Sequence, residues 1–320
     1  MKGSPEEIAE QVVRGDPAAV AGAISLVEDR RPSATARIVA LLHALGPAAR
    51  REQCQRVGIT GPPGAGKSSL VSALAALVRA SGRSIGVLAV DPSSPRSGGA
   101  LLGDRTRIEI DPDDTKMYVR SMASGGDLGG LARAAAAAVD VLSAAFDVVL
   151  VETTGVGQSE TDIEHVADSV VLVIQPASGD TVQFLKAGII EIPHIFAVNK
   201  EDLGDVATRA RTELQSALAQ SIAGETWRPP IVSTSAKTGK GLAELLDAID
   251  AHHRHLQKHA LLGERRSKAA AVMALQLFAR RYGEVGVERA GGGPALLARF
   301  REWIAAGATA VEAVARASKG

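Results

Sequence analysis

The stretch "RVGITGPPGAGKSSLVSALAALVRA", residues 56–80, constrains this chain more than any other. A short apolar run ends in a glycine-rich loop, and a helix-patterned segment opens at Lys67 and Ser68. The loop matches G-x-x-x-x-G-K-[ST] at Gly61, Gly66, Lys67 and Ser68. Strand before and helix after is the context in which that motif carries meaning. Its glycines let backbone N–H groups close around phosphates at a helix N-terminus, where the macrodipole also favours an anion. The candidate phosphate contacts are therefore Gly61, Pro62, Pro63, Gly64, Ala65, Gly66, Lys67, Ser68 and Ser69. In such a loop the lysine bridges the β- and γ-phosphates and the hydroxyl binds Mg²⁺.

A phosphate loop of this kind needs a sheet behind it, and the chain supplies one. From residue 56 to about 246, seven short apolar runs alternate with helical segments: "RVGIT", "SIGVLAV", "TKMYVR", "DVVLVE", "SVVLVIQ", "HIFAVN" and "PIVSTS". That alternation indicates right-handed crossovers and a mostly parallel sheet flanked by helices, the α/β class of P-loop NTPases. Residues 5–46 read as three helices, two of them opened by a cap residue followed by proline. Beyond Gly241 the pattern is helical over 241–262, 265–282 and 293–317, with "GVERAGGGP" as the clearest break. The expected division is a helical extension over 1–50, a nucleotide-binding domain over 51–246 and a helical region over 247–320.

Three later strand exits complete a nucleotide site. "DVVLVETTGVGQ" delivers Glu152 and Gly155 from a fully apolar strand, where an acid and a γ-phosphate-sensing glycine are wanted. "FAVNKED" carries N-K-x-D, in which the Asp202 carboxylate accepts from guanine N1–H and the exocyclic amine. Adenine lacks that donor pair, so a site built for guanine leaves its acid unsatisfied on the wrong base. The Lys200 stem covers the base and Asn199 ties neighbouring loops. "STSAKTGKG" follows at the next strand end, and its Ser235, Ala236 and Lys237 resemble the loop that offers an amide to guanine O6. In this order the motifs favour GTP over ATP.

Composition narrows the partners. Lys plus Arg and Asp plus Glu balance at 36 each, which argues against nucleic acid held on a general basic surface. Aromatics are only 3%, leaving few platforms for stacked bases. The single cysteine, Cys54, excludes an internal disulfide and a Cys-rich metal site. No apolar run approaches the roughly 18–20 residues of a membrane span. The start "MKGSPEEIAE" lacks the apolar core of a signal peptide. The expectation is a cytoplasmic protein.

Between the phosphate and base motifs lie "VDPSSPRSGGALLGDRTR" and "YVRSMASGGDLGGLARA". With "VETTGVGQSETD" and "QPASGDTVQFLKAGIIEI" they closely resemble the MeaB/ArgK family, P-loop GTPases of the G3E group that includes the human methylmalonic aciduria type A protein. The likeness runs from "GDPAAVAGAISLVEDRRP" to about residue 246; the tail resembles the family only in its place and helical character. The resemblance implies GTP/GDP and Mg²⁺ as cofactors, with Ser68, Asp91, Asp104 and Glu152 as direct or water-mediated metal ligands. Oxygen ligands of different reach suit a hard cation that keeps waters, so a glutamate at position 152 is chemically reasonable. Lys67, Asp104, Glu152, Arg105 and Gln158 are the catalytic candidates, and Arg107 shares with Arg105 the place of a charge-stabilising or ion-pairing arginine. Val156 stands where a Ras-like glutamine would follow Gly155, so that mechanism does not transfer. Asp180, Gln183 and Lys186 match a nucleotide-sensing segment of the family, whereas Arg96, Gly125, Ser178 and Phe184 depart from its pattern.

The resemblance further implies a chaperone that gates adenosylcobalamin delivery to a cobalamin-dependent acyl-CoA mutase such as methylmalonyl-CoA mutase, and protects or reactivates it. A cobalamin adenosyltransferase is a second candidate partner. Two other readings stand beside this one. A metallochaperone for nickel or another metal draws on His252, His255 and His259, spaced i, i+3 and i+7 on one helical face. A kinase of a basic amino acid or its transporter is an older reading of the family, but no acceptor site is visible. Finally, Leu242, Leu245, Leu246 and Ile249, then Val272, Met273, Leu275 and Phe278, form apolar stripes that need a covering partner. The resemblance makes that partner a second copy, giving a homodimer held by the C-terminal helices.

Overall fold

Val148 to Val151 alternate between two cores: Val148 and Leu150 pack on one face of a sheet, Val149 and Val151 on the other. A strand covered on both sides has this apolar run because successive side chains point to opposite faces. The structure is a computed structural model, and it describes residues 3–45, 53–91, 113–123, 134–153, 162–176, 192–221 and 226–318. Its strands are β1 (Gln55–Thr60), β2 (Ile85–Asp91), β3 (Met117–Ala123), β4 (Val148–Thr153), β5 (Ser169–Ile174), β6 (Ile195–Val198) and β7 (Ile231–Ser233). They form one seven-stranded sheet in the order β3-β2-β4-β1-β5-β6-β7. Every described pair is parallel. All seven expected strands are present.

The helices are α1 (Pro5–Val13), α2 (Pro17–Val27), α3 (Thr35–Ala44), α4 (Lys67–Ala80), α5 (Ala135–Ala145), α6 (Asp205–Ser221), α7 (Leu242–Lys258), α8 (Leu261–Arg289), α9 (Gly293–Ala305) and α10 (Ala310–Ala317). Local chemistry starts the first two. Ser4 and Glu7 form a reciprocal capping box ahead of Pro5, and the Asp16 carboxylate accepts from Ala19 N–H at 2.7 Å ahead of Pro17. Each satisfies N–H groups that the first turn leaves without helical partners. On one face of the sheet, α4 and α7 bury Leu70, Leu74, Leu245 and Ile249 against β1, β2, β4 and β5. On the other face, α1 to α3 and α5 share a larger core with the C-terminal helices.

The tail differs from its expected arrangement. Met273, Leu277 and Phe278 of α8 pack with Phe300 of α9 and Val314 of α10 into the core that also holds Ile24, Leu41 and Leu142. The stripe on α7 is covered by α4. Apart from Val272, the residues of the apolar stripes therefore pack against elements of the same chain. Side chains fasten the docking: Arg83 pairs with Asp250 at 2.9 Å, and Arg266 reaches the Cys54 carbonyl at 2.7 Å. The expected boundary after residue 246 falls inside α7. Helix α8 runs on past 282, with a kink at Gly283 (φ 66°, ψ −177°).

Candidate nucleotide site

From β1 the chain crosses to β2 on one side, and from β4 it crosses back to β5 on the other. The crevice beyond the carboxyl end of β1 is therefore the switch point where such sheets bind ligands. The loop placed there is fixed by contact as well as by turn geometry. Gly61 sits at φ 142°, and a Cβ on it would lie 2.2 Å from the Val173 carbonyl oxygen. Gly66 caps α4 at φ 88°, where a Cβ would meet Asn199 Nδ2 at 2.5 Å. Neither position accepts a side chain.

Lys67 is buried, and its ammonium donates to the carbonyls of Gly61 at 2.8 Å and Pro62 at 3.0 Å. The positive charge thus lies folded over the loop that is built to surround phosphate. Ser68 Oγ donates to Glu152 Oε1 at 2.8 Å. Strand register brings this about: Ile59 pairs with Glu152, so the end of β4 lies beside the start of the loop. Glu152 is 3% exposed. Behind it, the Thr153 hydroxyl donates to Thr60 Oγ1 at 3.2 Å. Asp91 ends β2, two residues beyond Ala89, which pairs with Glu152. Ser68 and Glu152 together present hard oxygen atoms in a part-buried setting, the donor type that Mg²⁺ takes.

The base motif joins this loop through Asn199. Its Nδ2 donates to the Ala65 carbonyl at 2.8 Å, while its Oδ1 accepts from Thr234 Oγ1 at 3.3 Å and Ala236 N–H at 3.4 Å. Lys200 takes the left-handed conformation (φ 58°, ψ 42°), which turns the chain sharply after β6. The exposed Asp202 carboxylate accepts from Ser235 Oγ at 2.6 Å. That hydrogen bond, outweighing desolvation, holds the carboxyl below its ordinary range. Lys237 is exposed beside it. The structure therefore brings together the phosphate loop, Glu152, Asn199, Asp202 and residues 235–237. Gly155, Asp104, Arg105, Arg107 and Gln158 lie outside the described residues, as do Arg96, Gly125, Ser178, Asp180, Gln183, Phe184 and Lys186; of Asp91 only the backbone is described.

Two residues escaped the sequence reading. Gln175 leaves β5 with its Oε1 3.3 Å from where a Gly64 Cβ would stand, and Thr234 anchors Asn199. Each is a polar residue closing an apolar strand beside the loop, which is the signal that was available.

The histidine face is not laid out as a ligand set. His252 is 1% exposed, with Nδ1 2.7 Å from Ser169 Oγ, and its ring lies tilted against His194 and edge-on to Trp227. Burial, reinforced by Arg265, pushes its pKa down to about 3. Among the described residues, no group of three or more His, Cys, Asp or Glu side chains is placed to hold a metal ion. Nor is any described helix long and apolar enough to cross a membrane.

Comparison with known proteins agrees with this geometry. The family model described as methylmalonyl Co-A mutase-associated GTPase MeaB matches residues 20–284. A GTPase of Pyrococcus abyssi is 45% identical over 266 residues, covering 82% of this chain and 80% of the relative. The mitochondrial methylmalonic aciduria type A homolog of Mus musculus is 36% identical over 271 residues, 80% of this chain and 65% of the relative. Among solved structures, a LAO/AO transport system kinase superposes with TM-score 0.68 at 25% identity, covering 99% of this chain and 98% of that one.

Proposed function

The chain belongs to the MeaB family of methylmalonyl Co-A mutase-associated GTPases, and from that premise we propose that it is a GTP-driven chaperone for an adenosylcobalamin-dependent acyl-CoA mutase. In this reading, GTP and GDP states gate delivery of the cofactor and protection or reactivation of the mutase. The observation that carries it is that Asn199 ties the Ala65 carbonyl of the phosphate loop to the Ala236 N–H, so the loop bearing the Ser68–Glu152 contact and the loop bearing the Ser235–Asp202 contact are joined through one side chain and the backbone. Such a link lets the phosphates and the base bias one arrangement of loops, as a switch requires.

Ser68 and Glu152, with Asp91 and Asp104 from neighbouring segments, would hold Mg²⁺, which when bound offsets the charge of the phosphate oxygens. Lys67 would leave its two loop carbonyls for the β- and γ-phosphates. Asp202 would orient guanine, and Ser235 would keep the carboxylate charged and aimed. Arg105 and Gln158 remain the candidates for transition-state charge and water positioning.

The test is GTP turnover by the full chain, alone and with purified adenosylcobalamin-dependent mutases specific for methylmalonyl-, isobutyryl-, 2-hydroxyisobutyryl- and ethylmalonyl-CoA. One mutase should raise turnover by about tenfold or more, equivalent to roughly 1.4 kcal/mol of transition-state stabilisation. The same mutase should be retained by the chain in a manner that depends on a non-hydrolysable GTP analogue. Turnover and retention indifferent to every mutase would overturn the chaperone reading while leaving the GTPase intact.

A further inference from the structure

On the far side of the sheet from the nucleotide site, a cavity of about 490 Å³ lies where α3, α5, the start of β5, α8 and the α9–α10 turn meet. It is lined by three arginines, Arg56, Arg265 and Arg266, and by two carboxylates, Asp140 and Asp168. Two of the arginines are matched. Arg266 donates to both carboxylate oxygens of Asp168, at 2.8 and 2.5 Å, and Arg56 pairs with Asp140 at 2.9 Å.

Arg265 is different. Its described hydrogen-bond contact is with His194 Nε2, at 2.8 Å, while the Val170 N–H donates to Nδ1 of the same ring at 3.0 Å. Burial, with the nearby Arg265 charge, keeps that imidazole neutral by driving its pKa well below the ordinary value. A neutral imidazole accepts at one nitrogen and carries a proton on the other. Two donors therefore face a ring that can accept from one of them. The backbone N–H is fixed by β5, so the guanidinium is the donor left without a proper acceptor. Arg56 adds to the surplus, because its Nε is buried without a hydrogen-bond partner. A part-buried cation and a buried donor in this condition favour an added acceptor.

We infer that this cavity binds an organic anion, a carboxylate or phosphate on an apolar body, whose charged end is taken by Arg265 and Arg56. Charge sets the first half of that assignment, since three guanidinium groups face two carboxylates among the lining residues, Glu164 acting on Arg265 from outside that lining. Size and lining set the second. The volume falls within the range of small-molecule sites and far exceeds an inorganic ion, and Leu42, Met273 and Ile304 supply an apolar wall. Because the wall is drawn from the N-terminal helices, the nucleotide-binding sheet and the tail together, the bound anion also bridges all three parts of the chain.

The experiment is calorimetric titration of the full chain, saturated with GDP and Mg²⁺ so that the phosphate loop is already filled. The probes are hexanoate, hexyl phosphate, hexan-1-ol and inorganic phosphate. At least one alkyl anion should bind with a Kd near or below about 1 mM, with hexanol and inorganic phosphate at least about tenfold weaker. Arg265→Gln should weaken the anion by about tenfold or more, and Ala270→Phe, which fills the cavity from α8, should abolish binding. Circular dichroism verifies that each variant folds, and the cavity-filling variant decides the matter if the charge variant does not. No binding of either alkyl anion, equal binding of hexanol or of bare phosphate, or affinity unchanged in a folded variant would each overturn the assignment.

Discussion

In the proposed site, base preference rests on the exposed Asp202 carboxylate and the Ser235 hydroxyl beside it. If its two oxygens meet the two guanine donors, Asp202→Asn removes one acceptor and introduces a donor that xanthine can use. GTP affinity should then fall by about a hundredfold or more, with xanthosine triphosphate gaining, as titration of both nucleotides against both proteins would reveal. Ser235 tunes the same group. Its hydrogen bond is the main cause of the lowered Asp202 pKa, so the parent carboxylate stays charged further into acid than an ordinary aspartate. In Ser235→Ala the pKa rises, and loss of GDP binding on acidification should set in at higher pH than in the parent. Coincident pH profiles would remove Ser235 from that role. At the phosphate end, Glu152→Ala should lower GTP hydrolysis far more than Mg²⁺-free GDP binding, because Glu152 Oε1 accepts from Ser68 Oγ, the hydroxyl proposed to hold the metal. Equal losses in single-turnover and GDP-binding assays would make Glu152 a packing residue instead.

Elements were legible where their partners are generic and illegible where they are particular. A parallel strand reads as an apolar run whatever covers it, so β1 to β7 could be found from "RVGIT" to "PIVSTS" without knowing the order of the sheet. The phosphate loop, N-K-x-D and the Ser235 loop were readable because nucleotide chemistry prescribes both residue and spacing. The stripes of α7 and α8 were just as visible, but amphipathicity tells that a face is covered and not by whom. The three-histidine face failed for the same reason, since helical spacing cannot tell a row that runs from the buried His252 to the exposed His259 from a ligand set. Arg266 was invisible too: its partners, Asp168 and the Cys54 carbonyl, lie 98 and 212 residues away in sequence. Burial pushes the Asp168 carboxyl up, yet Arg266 and then Arg56 outweigh it and its pKa is lowered. The contribution of the pair is thus present above the unfolded carboxylate range, near 3.9, and is lost as pH falls through the lower folded value. Arg266→Met leaves a buried carboxylate without its main partner, the Arg56 N–H and charge remaining, and should cost about 3 kcal/mol in urea unfolding at neutral pH. The gap between parent and variant should narrow on acidification, as the stranded carboxyl takes up its proton. A gap independent of pH would assign the loss to packing alone.

At the scale of the whole molecule, the tail is part of the core. Leu277, Phe278, Leu296 and Phe300 are buried against it, each worth about 1.5–3 kcal/mol on burial. A chain ended after residue 260 keeps α7 but uncovers the apolar faces of α1 to α3 and α5. It should bind a hydrophobic dye and lose its cooperative melt, whereas an unchanged melting temperature would make the tail an appendage. The order of the sheet has a further consequence, in time. The two neighbours of β1 arrive late in synthesis: Thr60 meets Thr153 across 93 residues, and Arg56 meets Asp168 across 112. At about 5–20 residues per second, the phosphate-loop strand waits roughly 5–20 s on the ribosome for its first neighbour. The tail clamp between Cys54 and Arg266 closes over 212 residues, roughly 10–40 s after Cys54 is made. The phosphate loop is thus translated well before the strands and the helix that support it, so GTP cannot stabilise the nascent chain until those elements have been made.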